Sequence, residues 1–257
     1  MSGNSLQGRT ALVTGGSRGI GRAICQFLAE EGATVGVNYN RDSASADETV
    51  RLIEEAGGKA QSFGGSVNDP DAAHKLVADV EAAFGPISIL VNNAGIASRG
   101  QSIEKTDPKE LMNVLAVHAM GPFFVTQAAL PGMRTCDRGD VIVISSVATK
   151  TLNARGAPYN MGKMAADAFA YTLAKEEKKN NIYANIVAPG LVDTDMGQRL
   201  MKATAGVDDL RALDAAMPFG HVCQPEEIAS TVRFLVSPAN TYVTGQKVFV
   251  DGGQSDG

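Results

Sequence analysis

Tryptophan is absent from the 257 residues, and aromatic side chains make up only 5% of them. The chain therefore has little on which nucleic-acid bases could stack. Positive charge is also in deficit, with 23 Lys and Arg against 28 Asp and Glu, a net charge of −5. That balance argues against nucleic acid or an anionic membrane as the main partner. No apolar run reaches the ~18 residues of a membrane span, and Met1 to Gly8 is polar, without the apolar core of a signal peptide. Cysteine is scarce: Cys25, Cys136 and Cys223 are odd in number and far apart. They read as reduced thiols in a cytoplasmic protein rather than a disulfide frame. His74, His118 and His221 are equally scattered, so no metal site is expected. Linkers, repeats and low-complexity stretches are missing too, which implies one domain over 1–257.

What is present is a glycine-rich turn near the start. The apolar run Thr10 to Val13 leads into Thr14-Gly15-Gly16-Ser17-Arg18-Gly19-Ile20-Gly21, and the apolar residues at 20, 24, 27 and 28 then follow helical spacing. Glycines between a strand and a helix let the backbone turn tightly and let a phosphate approach the main chain. The helix start adds free N–H donors and the positive end of its dipole, so the turn fits a pyrophosphate.

The rest of the chain alternates short apolar strands with longer helical patterns. Strands are expected at 34–38, 60–67, 87–91, 141–144, 182–187 and 247–250. Helices are expected at 45–56, 69–84, 108–130, 158–179 and 225–235, with Asp69 capping the second of these and Pro70 at its first position. This alternation implies an α/β fold, a parallel sheet with helices on both faces. Ligands of such sheets bind past the carboxyl ends of the strands. The loops at 14–21, 38–42, 92–98, 145–157 and 188–220 should therefore hold the site.

Tyr159 and Lys163, four apart, share one face of a helix. Tyr171 and Lys175 repeat the spacing about 120° round the same helix, so the two pairs cannot serve one site. Position separates them. Ser146 lies thirteen residues before Tyr159, just past the fifth strand, whereas Pro158 stands thirteen before Tyr171. Tyr159 can give a proton to an alkoxide as general acid and take it back as general base. A free phenol, with pKa near ~10, is too weakly acidic for the second role. An ammonium ~4 Å away favours phenolate by about 4 kcal/mol at an effective dielectric of ~20, an upper bound of about three pKa units. Lys163 carries that charge, and Ser146 can donate a hydrogen bond to a developing oxyanion.

Taken in order, Thr14 to Gly21, Asn92-Asn93-Ala94-Gly95, Ser146, Tyr159 with Lys163, Pro189-Gly190 and the closing Val250-Asp251-Gly252-Gly253 give the chain its resemblance to the classical short-chain dehydrogenases/reductases. The likeness covers about residues 8–253, and within the family the pattern is most similar to the 3-oxoacyl reductases. It implies a Rossmann-type doubly wound parallel sheet of about seven strands with helices on both faces, a nicotinamide cofactor, hydride transfer between a ketone and a secondary alcohol, a small-molecule substrate and a homotetramer. It also implies that Ser146, Tyr159 and Lys163 are catalytic, with Lys163 holding the nicotinamide ribose. The cofactor would lie along Gly15, Ser17, Arg18, Gly19, Ile20 and Gly21, then Tyr39, Asn40 and Arg41, Ser66 and Val67 beside the adenine, and Asn93, Ala94 and Gly95. Pro189, Gly190, Val192 and Thr194 would cover the nicotinamide.

The chain departs from the family at several points. His118 stands where the family has a catalytic asparagine. Either its backbone carbonyl preserves a water relay from the lysine, or the imidazole joins the relay, since it titrates near neutrality. Ser66 replaces the usual aspartate at the adenine. Asp137 and Asn180 stand where reductases of carrier-protein substrates carry arginines, though Arg134, Arg138, Lys178 and Lys179 lie nearby. NAD enzymes place a carboxylate at the end of the second strand. Here that position is Tyr39, and Arg18 and Arg41 can pair with a 2′-phosphate. NADP(H) is therefore expected over NAD(H), with Asp42 the one carboxylate near enough to reverse the choice. Residues 191–222 should form a substrate lid with Met196, Leu200, Met201, Leu210, Leu213, Met217 and Phe219. A second reading stays open: a non-catalytic cofactor-binding subunit paired with an active paralogue.

Overall fold

Seven short runs, most of them rich in Val, Ile and Ala, pair side by side into one parallel sheet in the computed structural model, which describes residues 4–256. Residues 1–3 and 257 of the expected 1–257 domain lie outside the described residues. The strands are β1 (Thr10–Val13), β2 (Thr34–Tyr39), β3 (Lys59–Gly64), β4 (Ile87–Asn92), β5 (Gly139–Ile144), β6 (Ile182–Pro189) and β7 (Lys247–Val250). Their order is β3-β2-β1-β4-β5-β6-β7. β1, β4 and β5 are buried throughout, as continuous apolar strands in a doubly covered sheet must be.

Helices α1 (Gly19–Glu30), α2 (Ser43–Glu55) and α9 (Pro225–Val236) cover one face, where Ile24, Leu28, Ile53, Ile228 and Val232 join a core with Val13, Val35 and Val91. Helices α3 (Pro70–Phe84), α5 (Gly121–Met133) and α7 (Ala157–Glu177) cover the other through Leu76, Val80, Val125, Met133 and Leu173. Asp69 caps α3 by accepting from the Ala72 N–H at 2.8 Å, ahead of Pro70.

The strand order reverses between β1 and β4. Both neighbours of that point have loops leaving the carboxyl edge, so a crevice opens between the glycine turn after β1 and Asn92 to Gly95 after β4.

Most elements fall within two residues of the sequence expectation, and two differ by more. The third strand stops at Gly64, so Ser66 and Val67 follow the strand rather than end it. β3 is a mostly exposed edge strand, and the Gly64-Gly65 pair gives it nothing to extend into. The helix expected over 108–130 runs as α4 (Pro108–Leu115), a π-helical turn (Ala116–Met120) and α5. The whole Pro108–Met133 rod is long and apolar enough, by length and composition alone, to cross a membrane. Here Val114, His118, Val125, Thr126, Ala129 and Met133 are buried within the fold. The short α6 (Ala148–Thr151) leads towards α7, and α8 (Asp195–Ala205) with two 3₁₀ segments fills the expected lid.

Candidate active site

The glycine turn is locked to the β4 loop by side-chain-to-backbone hydrogen bonds. Thr14 Oγ1 accepts the N–H groups of Asn93 and Ala94, each at 3.0 Å, and Asn93 Nδ2 donates to the carbonyls of Thr14 (2.9 Å) and Gly15 (3.0 Å). Gly15 has φ +64°, and a Cβ there would stand 3.0 Å from Ala94 Cα. At Gly21 a Cβ would sit 2.2 Å from the Gly15 carbonyl oxygen, so the helix can approach the turn only without a side chain. α1 then starts with no side-chain cap and no acidic residue in its first turn. Its first N–H donors are left without a side-chain acceptor, an arrangement that suits an anion.

Around this turn, Gly16 N–H donates to the Asn38 carbonyl at 2.9 Å, Asn38 Oδ1 accepts from Gly15 N–H, and Arg22 donates to the Ser17 carbonyl at 2.7 Å. Sequence reasoning gave no structural role to Thr14, Asn38 or Arg22. A polar residue at the end of an apolar strand was the available signal for the first two.

The other expected cofactor residues fall on the same edge, in different states. Tyr39 ends β2, with Asn40 and Arg41 just after it. Arg18 is 3.7 Å from Asp42 and 3.8 Å from Asp195 of α8. Asp42 is committed elsewhere: it caps α2, accepting from the Ser45 N–H (3.0 Å) and hydroxyl (2.7 Å), and those bonds hold its carboxyl below the usual range. Ser66 hydrogen-bonds the Asn68 side chain, and Val67 packs on Gly121 of α5. Pro189 ends β6, and Gly190 N–H donates to Val250 O at 3.0 Å. Val192 forms a parallel bridge with Cys223. Thr194 caps α8 through the Gly197 N–H, with its methyl group 3.2 Å from where a Gly19 Cβ would be.

Ser146, Tyr159, Lys163 and His118 come together beyond β5. Ser146 Oγ accepts from Ala148 N–H at 3.1 Å, which leaves its proton to donate. Burial raises the Tyr159 phenol above its ordinary value, and hydrogen bonding from Ser146 opposes this. The Lys163 ammonium lies 5.7 Å from the Tyr159 ring centroid and donates to the Ile144 carbonyl at 2.7 Å. Its own pKa is lowered to about 8 by burial, with Asp167 acting the other way. The lowering of the phenol expected from Lys163 is not what meets this desolvation; the opposing effect comes from Ser146, and burial sets the direction.

His118 occupies the π-helical turn, 2% exposed. Its Nε2 is 2.7 Å from Ile96 O and 3.1 Å from Ile96 N, and its Nδ1 is buried without a partner. Burial, and then the Lys163 charge, lower its pKa to about 3. The side chain runs between two glycines: a Cβ on Gly95 would lie 2.8 Å from its Cε1, and one on Gly162 2.9 Å from its Cβ. Tyr171, by contrast, is 38% exposed on another face of α7. Among the described residues no group of three His, Cys, Asp or Glu is placed to hold a metal ion.

This geometry can be set beside known proteins. Residues 15–255 match the family model described as enoyl-(acyl carrier protein) reductase. The 3-oxoacyl-[acyl-carrier-protein] reductase of Synechocystis sp. is 36% identical over 250 residues, 97% of this chain and 98% of that protein. The (3R)-3-hydroxyacyl-CoA dehydrogenase of Mus musculus is 37% identical over 257 residues, 96% of each chain. The structure of the angucycline C-6 ketoreductase LanV with bound NADP superposes with a TM-score of 0.89 at 34% identity, covering 100% of this chain and 99% of that one. With the glycine turn, the Asn93 lock and the Ser146–Tyr159–Lys163 cluster on one edge of a seven-stranded parallel sheet, the chain belongs to the classical short-chain dehydrogenases/reductases, oxidoreductases acting on CH–OH groups.

Proposed function

We propose that this chain is an NADP(H)-dependent reductase that interconverts a ketone and a secondary alcohol. The observation that carries the reading is the convergence of Ser146, Tyr159 and Lys163 beside a glycine turn whose helix start is uncapped. That uncapped start, with Gly15 and Gly21 too tight for any side chain, fits a dinucleotide pyrophosphate. The bound nicotinamide would supply or accept the hydride.

The protein's own residues do the rest. Tyr159 protonates the carbonyl oxygen, and a phenol raised by burial holds its proton until the oxygen becomes basic. Ser146 donates to the same oxygen as charge develops on it. Lys163 stabilises the phenolate left behind. His118, neutral and edge-on to Tyr159, orients the phenol rather than carrying a proton as an imidazolium. Arg18 faces the place of a 2′-phosphate. Asp42, which could have favoured NAD(H), is held as the cap of α2. Both observations support NADP(H). Asn40, Arg41, Ser66, Val67, Ala94, Pro189, Gly190, Val192 and Thr194 line the remainder of the cofactor path.

The substrate is a 3-oxoacyl thioester or a comparable ketone, taken under the 191–222 lid. Arg134 is bonded to Glu177 and Arg138 to Asp140, which leaves both occupied within the chain and favours a free ketone or a coenzyme A thioester over a carrier-bound one. Met112, Met120, Phe123, Met161 and Met164 are exposed on α4, the π turn, α5 and α7. This apolar face supports self-assembly, for which a homotetramer of single-domain chains is the proposed form.

The test is NADPH oxidation with a panel of β-keto esters, acyl thioesters and cyclic ketones. Turnover that Tyr159→Phe abolishes supports the reading. Tight NADPH binding without turnover on any of them supports the non-catalytic subunit instead.

A further inference from the structure

Below the candidate site, two buried charges meet that the mechanism above does not use. Asp167 lies one helical turn after Lys163 on α7, so the two side chains leave the same face. Its Oδ2 accepts from Lys247 Nζ of β7 at 2.6 Å, and the two side chains are only 7% and 12% exposed. Lys247 also donates to Thr149, whose hydroxyl donates to the Ser146 carbonyl at 2.8 Å. Asp167 Oδ1 is buried and has no hydrogen-bond partner.

Removing a carboxylate and an ammonium from water costs more than a surface pair returns, so such a pair is weak evidence of a purely stabilising role. A carboxylate with an unused oxygen beside a buried lysine has an electrostatic consequence instead. Lys163 is 5% exposed and faces the Ile144 carbonyl on β5, the neutral His118 ring on the π turn, the Tyr159 ring on its own helix, and Asp167. Among the described residues, Asp167 is the anion that acts on it. Asp167 in turn faces Lys247, Lys163 and, more distantly, Tyr171.

We propose that Asp167, fixed by Lys247, is a positioning residue that keeps Lys163 charged and directed at Tyr159. Lys247 anchors the carboxylate on one oxygen and leaves the other towards the interior. The carboxylate offsets the desolvation of Lys163, and the retained ammonium stabilises the Tyr159 phenolate. Without Asp167, Lys163 gives up its proton at a lower pH still, and the phenolate formed in turnover loses its neighbouring charge. This inference rests on Tyr159 being the acid/base group.

The discriminating variant is D167N/K247M, which removes both charges and leaves neither buried alone. A merely structural pair predicts wild-type behaviour once both are gone. The positioning role predicts a near-wild-type melting temperature with a displaced titration. In the cofactor-free protein, side-chain NMR of labelled lysine, with Lys163→Met as the assignment control, follows this one ammonium. Its midpoint should fall by up to about 1.7 pH units, the size expected on losing a unit charge roughly 7 Å away at an effective dielectric near 20. Alcohol oxidation near neutrality should fall about tenfold in kcat and recover at higher pH. Asp167→Glu, which keeps the charge, should hold the wild-type midpoint. If the double variant does not accumulate, Asp167→Asn read at low temperature gives the same titration. A midpoint and pH profile that overlay the wild type overturn the role of Asp167. Turnover that survives Tyr159→Phe overturns the parent reading instead, so the two failures are distinct.

Discussion

The His118 imidazole meets the Tyr159 phenol ring edge to face, with centroids 5.1 Å apart and planes at 73°. A ring that sits on another restricts its rotation, and such contacts add about 0.5–1.5 kcal/mol beyond burial. His118→Asn should therefore lower kcat about tenfold while KM changes little, because a misplaced phenol affects the reaction more than binding. Steady-state kinetics over the ketone panel checks this.

The same histidine makes stability depend on pH. Its folded value, about 3, lies below the ordinary 6.5, so the unfolded chain binds the extra proton first. Its contribution is complete above pH 6.5 and is lost as pH falls towards 3, at a limiting rate of about 1.4 kcal/mol per pH unit. Melting temperatures followed from pH 7 to pH 4 should fall in the native protein. The decline should be shallower in His118→Asn.

Ser146 is bonded to the Ala148 N–H but is otherwise poised to donate. Ser146→Ala should reduce kcat by about 10²–10³, the loss typical of one oxyanion donor, and should cost only about 1 kcal/mol of stability. Cofactor affinity, read by fluorescence titration, should not move. A fall in affinity as large as the fall in kcat would remove Ser146 from the reacting oxygen.

Arg18 is more than half exposed and stands between Asp42 and Asp195. Ion pairs this open contribute about 0–1 kcal/mol, so Arg18→Ala should hardly change the melting temperature. It should raise KM for NADPH about tenfold and leave KM for NADH nearly constant, since a charge-assisted bond to the 2′-phosphate is lost. An equal rise for both nucleotides would place the arginine elsewhere on the cofactor.

Phe123 on α5 is 47% exposed and packs edge-on against Phe124 and Phe169, with centroids 6.2 and 6.0 Å away. Phe123→Glu puts a charge into the proposed subunit contact. Sedimentation velocity should then show a smaller assembly than the unsubstituted protein forms, with the far-ultraviolet circular dichroism unchanged.

Local chemistry made much of this molecule readable. β1 and β7 fall on the expected residues because their apolar runs are bounded by turn residues. The Tyr159–Lys163 face follows from helical spacing alone. The π turn at His118 was not readable, since Ala116 to Met120 has the composition of ordinary helix. The direction of the Tyr159 shift was not readable either. Spacing supplies the neighbouring ammonium but not the loss of water around the phenol, and that second effect sets the sign.

The order of residues by itself determined the alternating elements, the glycine turn and the side chains able to move a proton, because each is set by neighbours within a few positions. Only the tertiary structure decided that Thr14 locks Asn93, that His118 lies under Tyr159 and that Lys247 reaches Asp167. Those partners are 79, 41 and 80 residues apart in the chain, and they meet because the sheet order brings their elements to one edge. Burial and charge act through that proximity in space, which no local pattern encodes.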